Sequence, residues 1–147
     1  MSEYNTKLAI IIPCFNEELV IKSTVDTLIS VMDKIIAKGK ISNESYIYLV
    51  DDGSKDTTWN IIEGLHNTYG ERIKGTKFIR NYGNQKALIA GLLGVKEIGC
   101  DCVISIDADL QQDENAIEIF IDEFHNGAEI VSGIRNDRKT DSFFKKH

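Results

Sequence analysis

Residues 46–58 read Tyr-Ile-Tyr-Leu-Val-Asp-Asp-Gly-Ser-Lys-Asp-Thr-Thr. The opening apolar run, rich in aromatic and β-branched side chains, predicts a buried strand over 46–50. Two adjacent acids stand at its carboxyl end, and Gly53 lets the chain turn with φ > 0. Ser54 and Asp56 offer caps to a helix in which Trp59, Ile62, Leu65 and Tyr69 recur on one face until Gly70 stops it. A strand that passes into a helix through an acidic turn is one unit of an alternating α/β chain.

The same unit recurs in both directions. Upstream, Leu8 to Ile12 is a continuous apolar strand, followed by a helix over 17–37 with Val20, Val25, Leu28, Ile29, Met32, Ile35 and Ile36 on its stripe. Downstream, strands are expected near 75–79, 102–106 and 129–132, and helices over 85–98 and from Asp113 or Asn115 through Phe124. The resulting order, βαβαβαβαβ, predicts a single α/β domain over 1–138. Its sheet is open, twisted and mostly parallel, with helices on both faces and ligands beyond the carboxyl ends of the strands. Ala87, Ala90, Gly91 and Gly94 recur near one face of the helix over 85–98, which allows that helix to approach the sheet closely.

The residues just past each strand are the chemically loaded ones: Pro13-Cys-Phe-Asn-Glu17, Asp51-Asp-Gly-Ser54, Arg80-Asn-Tyr-Gly-Asn84, Asp107-Ala-Asp-Leu-Gln111 and Gly133-Ile-Arg-Asn-Asp-Arg138. Plain connections need only turn formers, so acids, amides and arginines gathered at one edge describe a site. Asp107 and Asp109, two carboxylates at the end of an apolar strand, suit Mg²⁺ or Mn²⁺; the plainer alternative is a solvated acidic turn that caps the next helix. Asp51 has no evident structural task and is a candidate acceptor for a base N–H or ribose hydroxyl. Arg135 and Arg138 are candidates for phosphate pairing, or else solvated surface.

Composition narrows the classes. The chain of 147 residues carries 23 acids against 17 lysines and arginines, a formal charge of −6, which argues against a nucleic-acid partner. Cys14, Cys100 and Cys102 lack framework spacing and read as packed, reduced thiols of a cytoplasmic protein. The polar start, Met1 to Lys7, leads into too short an apolar run for a signal peptide or membrane span. Residues Lys139 to His147, Lys-Thr-Asp-Ser-Phe-Phe-Lys-Lys-His, are expected to open a basic amphipathic helix that continues past the end of this chain.

The four motifs together resemble glycosyltransferase family 2, and within it the polyprenyl-phosphate glycosyltransferases of the dolichol-phosphate mannosyltransferase type. Ile11-Ile-Pro-Cys-Phe-Asn-Glu17, Leu49-Val-Asp-Asp-Gly-Ser-Lys-Asp-Thr-Thr58, Arg80-Asn-Tyr-Gly-Asn-Gln-Lys-Ala-Leu-Ile-Ala-Gly-Leu92 and Ser105-Ile-Asp-Ala-Asp-Leu-Gln111 carry the resemblance in order and spacing across nearly the whole chain. It implies a GT-A-like nucleotide-sugar fold and an inverting hexosyltransferase that uses Mn or Mg. The donor would be a UDP- or GDP-sugar, and the acceptor a polyprenyl phosphate or, alternatively, a saccharide hydroxyl.

Carried over by position, the resemblance puts Pro13, Phe15 and Glu17 at the nucleobase and ribose. Asp51 then meets a base N–H, Asp52, Gly53 and Ser54 support the donor pocket, and Asn81 and Gly83 lie beside it. Asp107, Ala108 and Asp109 fall at ribose and metal-diphosphate. Lys86, where the family often has a small residue, faces either a phosphate or solvent, and Asp113 replaces a frequent proline. The acceptor-side catalytic residues are expected beyond His147, and any membrane contact after residue 139, on the cytoplasmic face of a membrane. This chain alone is therefore expected not to glycosylate a lipid. Two rivals use the same acids differently: a phosphotransferase with an aspartyl nucleophile, and a receiver-like or nucleotide-sensing module built on Asp51 and Asp52. The first would carry its nucleophile after an early strand with a hydroxyl residue soon after, whereas Asp107 follows the fourth; the second leaves Asp107–Gln111 and Pro13–Glu17 without a task.

Overall fold

The computed structural model describes residues 5–110, 113–129, 131–135 and 142–146, the last two segments by their backbone. The elements are β1 (Leu8–Cys14), α1 (Ile21–Ala37), β2 (Tyr46–Asp51), α2 (Thr58–Tyr69), β3 (Ile73–Lys77), α3 (Asn84–Ile98), β4 (Cys102–Ser105), α4 (Ala116–His125), β5 (Val131–Arg135) and β6 (Ser142–Lys146). Strands β1 to β4 form a parallel sheet in the order β3-β2-β1-β4. The chain thus runs outward from β1 through β2 to β3, then crosses back to the other side of β1. Strand order reverses between β1 and β4, and in open sheets of this kind ligands lie beyond the carboxyl ends at such a point.

Both faces of the sheet are covered, as the run of apolar residues in β1 and β2 requires. Leu8, Ile10, Ile12, Ile47 and Leu49 pack with Ile21, Val25, Leu28 and Met32 of α1, with Ile62 and Leu65 of α2, and with Ile117 and Ile121 of α4. On the opposite face Ala9, Ile11, Tyr46, Tyr48 and Val50 pack with Ala87 and Val95 of α3. The small residues of α3 have the expected purpose. A Cβ at Gly91 would come within 2.6 Å of the Ile11 Cγ2, and one at Gly94 within 2.5 Å of the Tyr48 hydroxyl.

Three expectations need correction. The third strand lies at 73–77, two residues earlier than the apolar pair Phe78-Ile79 suggested. Ile73 is the residue that reaches the core, in register with Ile47, whereas Ile79 is 93 % exposed. The fifth strand is not a further parallel member of the sheet: β5 pairs antiparallel with β6, Val131 opposite Lys146 and Arg135 opposite Ser142. The segment from Lys139 to His147, expected to open an amphipathic helix, is instead strand over Ser142–Lys146. Its two adjacent phenylalanines favour extended backbone, and a hydrogen-bonding partner strand overrides a short helical pattern. Residues 136–141, with Arg138 and Lys139 among them, and His147 lie outside the described residues. The acceptor-side residues expected beyond His147 fall outside them too.

Candidate active site

The first four motifs singled out in the sequence, as far as they are described, sit at the carboxyl edge of the parallel sheet, whereas the described part of the fifth, 133–135, lies in β5. Backbone pairing continues past the strands and fixes the loops: Asp52 N–H donates to the Cys14 carbonyl (2.8 Å), Phe78 N–H to Asp51 (2.8 Å), and Ile106 N–H to Ile11 (3.0 Å). The first and second loops are further tied by side chains. Asn16 N–H donates to the Ser54 hydroxyl (2.8 Å), Lys55 N–H to the Asn16 side-chain oxygen (2.9 Å), and Glu17 N–H to the Thr58 hydroxyl (2.9 Å). Glu18 accepts from both the Thr57 N–H and the Thr57 hydroxyl, and Asp56 accepts from the Thr58 N–H and hydroxyl at the head of α2. Sequence reading missed Asn16, Glu18, Thr57 and Thr58, whose partners lie about forty residues away. Ser54, read as a cap, instead receives the first loop.

Asp51 and Asp52 are both buried, at 0 % and 3 % exposure, yet their situations differ. Asp52 is saturated: it accepts from the Tyr82 N–H (2.7 Å), the Gly83 N–H (3.0 Å) and the Asn81 side-chain amide (3.1 Å). Asn81 and Gly83 are thereby turned toward Asp52. Gly53 makes this docking possible, since at its φ of +73° a Cβ would overlap the Arg80 carbonyl carbon and lie 2.5 Å from the Asn81 nitrogen. Asp51 uses one oxygen, Oδ1, to accept from the Ser54 N–H (2.9 Å). Its other oxygen, Oδ2, is buried without a hydrogen-bond partner among the described residues. A buried carboxyl oxygen left in that state is costly unless something else donates to it.

Asp107 and Asp109 are exposed on either side of buried Ala108 just beyond β4. The Thr24 hydroxyl of α1 donates to the Ala108 carbonyl (2.6 Å), and Leu110 N–H closes a turn onto the Asp107 carbonyl (3.1 Å). Thr24 was legible only as a polar residue within an apolar stripe. Asn16 and Leu110 have positive φ, +51° and +50°; for leucine that conformation is strained, and the loop hydrogen bonds hold it. Burial, then the charges of Asp109 and Asp56, push the Glu17 carboxyl above its ordinary value. The first and fourth loops therefore share one electrostatic neighbourhood. Oxygen donors of this number suit a divalent cation that keeps water and substrate oxygens in its shell.

Around the rim, Pro13 is half-buried and the Phe15 ring is 43 % exposed. The Arg80 guanidinium lies 4.8 Å from the Tyr82 ring centroid and the Lys86 ammonium 5.7 Å. Arg135 ends β5 and is described by its backbone alone. Burial and the neighbouring Asp51 and Glu17 push the Cys14 thiol up, and all three cysteines are free, as packed thiols should be. A cavity of about 450 Å³ lies elsewhere, between β4 and α4, lined by Val103, Ser105, Phe120 and Phe124; none of the candidate site residues borders it.

A parallel α/β sheet with acids gathered beyond the carboxyl ends of β1, β2 and β4 defines the fold class, and the comparisons name the family. The chain belongs to glycosyl transferase family 2, whose sequence pattern it matches over residues 9–147. It is 47 % identical over 146 residues to the uncharacterized glycosyltransferase YkoT of Bacillus subtilis (strain 168), covering 99 % of this chain and 43 % of the relative. To the undecaprenyl-phosphate 4-deoxy-4-formamido-L-arabinose transferase of Edwardsiella ictaluri (strain 93-146) it is 33 % identical over 149 residues, covering 99 % and 42 %. The chain thus spans less than half the length of these relatives.

Solved GT-A structures share the fold. The mannosyltransferase PcManGT from Pyrobaculum calidifontis, in complex with GDP-Man and Mn²⁺, superimposes with a TM-score of 0.55 at 22 % identity, over 73 % of this chain and 28 % of that one. S. aureus TarS 1-349 in complex with UDP gives 0.56 at 24 % identity, over 81 % and 33 %.

Proposed function

We propose that the carboxyl edge of the sheet binds a nucleoside-diphosphate sugar, with UDP or GDP as nucleotide, and that the protein transfers the sugar with inversion to a polyprenyl phosphate. The unpartnered, buried Asp51 Oδ2 carries the reading: it awaits a donor, and a nucleobase N–H supplies one. Pro13, the exposed Phe15 ring and Glu17 line the base and ribose side. Asp52 acts through Asn81 and Gly83, holding their loop at the pocket, while Gly53 and Ser54 shape the floor. Arg135 serves the diphosphate.

Asp107 and Asp109 would hold Mn²⁺ or Mg²⁺, with Ala108 between them fixed by Thr24. When bound, such an ion supplies Lewis-acid stabilisation to the departing nucleoside diphosphate. In the reaction, an acceptor oxygen bonds to the anomeric carbon from the face opposite the diphosphate. The anomeric C–O bond breaks, its electron pair leaves with the nucleotide, and a single displacement inverts the centre. A phosphate monoester acceptor is largely dianionic near neutral pH, its second pKa being about 6, so it needs no strong base from the protein.

Polyprenyl-phosphate transfer in a named relative supports this acceptor, as does GDP-Man or UDP in named neighbours for the donor. Such an acceptor places the protein at a membrane, on its cytoplasmic face, where nucleotide sugars are made. Among the described residues no helix is long and apolar enough to cross one. A thermal-shift panel of nucleoside diphosphates and nucleotide sugars with Mn²⁺ tests the reading. A shift with uridine or guanosine diphosphates is expected, and a flat response to both counts against it.

A further inference from the structure

Helix α3 is amphipathic in an unusual sense. Toward the sheet it turns the small residues Ala87 and Gly91 with Val95, all buried. Away from it Ile89, Leu92 and Leu93 stand 56 %, 43 % and 63 % exposed. Their i, i+3, i+4 spacing joins them in one patch. Close packing explains the inward residues, but nothing among the described residues covers the outward ones, and three large aliphatic side chains on one turn of a helix mark a contact surface.

The charge around this patch is also out of keeping with the chain. Residues 72–96 contain Arg72, Lys74, Lys77, Arg80, Lys86 and Lys96 and none of the chain's 23 acids, in a protein of formal charge −6. Arg72 is paired with Asp33, and Lys74 with Glu71. Among the described residues Lys86 and Lys96 form no ion pair, and they flank the patch, one three residues before Ile89 and the other three after Leu93. Glu97, the first acid beyond, lies toward Tyr48, whose phenol is held up by burial and then by that charge.

We propose that the outer face of α3 docks on an anionic bilayer surface, with Ile89, Leu92 and Leu93 entering the headgroup–acyl boundary and Lys86 and Lys96 at lipid phosphates. Apolar side chains bracketed by unpaired cations are complementary to such a surface. A second copy fits less well. Antiparallel self-pairing about the patch sets Lys86 opposite Lys96, and three side chains fall far short of the roughly 1,000 Å² a stable interface needs. The docking stands on these residues alone, but its consequence for catalysis rests on the proposed function. Gly83, bonded to Asp52, caps α3, so a docked α3 holds the donor pocket beside the headgroup layer, where a lipid-borne phosphate is presented.

Sedimentation of the chain with phosphatidylglycerol–phosphatidylcholine vesicles and with phosphatidylcholine vesicles tests this surface, with nucleotide binding measured in parallel. Binding to the anionic vesicles alone is expected, at least tenfold weaker in Ile89→Gln/Leu93→Gln and weakened in Lys96→Glu, with nucleotide affinity unchanged. The Lys96→Glu change, on a solvated position, keeps the test open should the double variant fold poorly. Absence of binding to anionic vesicles, unchanged binding in both variants, or a dimer dissolved by Ile89→Gln/Leu93→Gln in place of vesicle binding would overturn it. Vesicle binding without nucleotide binding would sink the donor-site reading and leave the docking face standing.

Discussion

At the amino edge of the parallel sheet charged side chains face partners of opposite sign, Arg72 with Asp33 included although its Nε is buried without an acceptor among the described residues; at the carboxyl edge a buried carboxylate oxygen has neither. Lys38 pairs with Glu118, and Lys40 bridges Glu118 and Asp122, so the connection after α1 is stapled to α4. The Lys7 N–H donates to Asp101, the Leu8 N–H to the Ser45 hydroxyl, and Thr6 Oγ1 lies 2.9 Å from His125 Nε2. At the other edge one buried carboxyl oxygen has no donor, two acids flank an exposed turn, and two non-glycine residues hold positive φ. One edge closes the fold, whereas the other is where the proposed nucleotide would supply the missing donor. Asp51 and Asp52 show the contrast at the scale of neighbours, since Asp52 serves the fold's own loop and Asp51 is half free.

The largest expected effect comes from Gly53, where loop geometry and pocket meet. Gly53→Ala forces a Cβ against the Arg80 backbone at a φ that L-residues avoid, and should cost about 3 kcal/mol in urea unfolding. Asp52→Ala should follow, at about 2 to 3 kcal/mol, because three donors lose their acceptor. Nucleotide affinity should fall with it, since the loop of Asn81 and Gly83 is released. Asp51→Asn separates the two roles: its oxygen can still accept from the Ser54 N–H, so stability should hold or rise. Nucleotide affinity should nevertheless drop by about 1 to 3 kcal/mol, read by calorimetry. If Asp51→Asn proves as destabilising as Asp52→Ala, the contrast between the neighbours disappears.

At the amino edge the effects should be smaller and silent toward nucleotide. Lys40→Ala removes an exposed staple, so a modest loss of thermal stability that vanishes at high salt is expected. His125 offers a test by pH. Burial, outweighing the neighbouring Asp122, holds its pKa below the ordinary 6.5. The folded state therefore favours the neutral ring, and the stability it contributes is present above 6.5 and lost as pH falls through the depressed value. His125→Gln should flatten that part of the stability–pH curve, while an unchanged curve would assign the acid loss to other groups.

Much of the carboxyl edge was legible in the sequence because strand ends in a parallel sheet are chain-local: an apolar run, then acids, then a capped helix. The acids at 51, 52, 107 and 109 could be placed without knowing any long-range contact. What distinguishes Asp51 from Asp52 could not, because it depends on the loop at 80–83 folding back onto Gly53. The lattice of Asn16, Glu18, Thr57 and Thr58 was hidden for the same reason. The β3 register went astray because an edge strand reading Ile-Lys-Gly-Thr-Lys has little apolar signal, and the Phe78-Ile79 pair beside it has more. The β5–β6 hairpin was missed because each strand is short and gains its stability from the other.

Calorimetric titration of the chain with UDP and with GDP, with and without Mn²⁺, on wild type, Asp51→Asn and Asp109→Ala tests the central claim most directly. The account predicts binding of one nucleotide that Mn²⁺ strengthens, weakened by about 1 to 3 kcal/mol in Asp51→Asn, and stripped of its metal dependence by Asp109→Ala. Wild-type affinity in Asp51→Asn together with undiminished metal dependence in Asp109→Ala would contradict it.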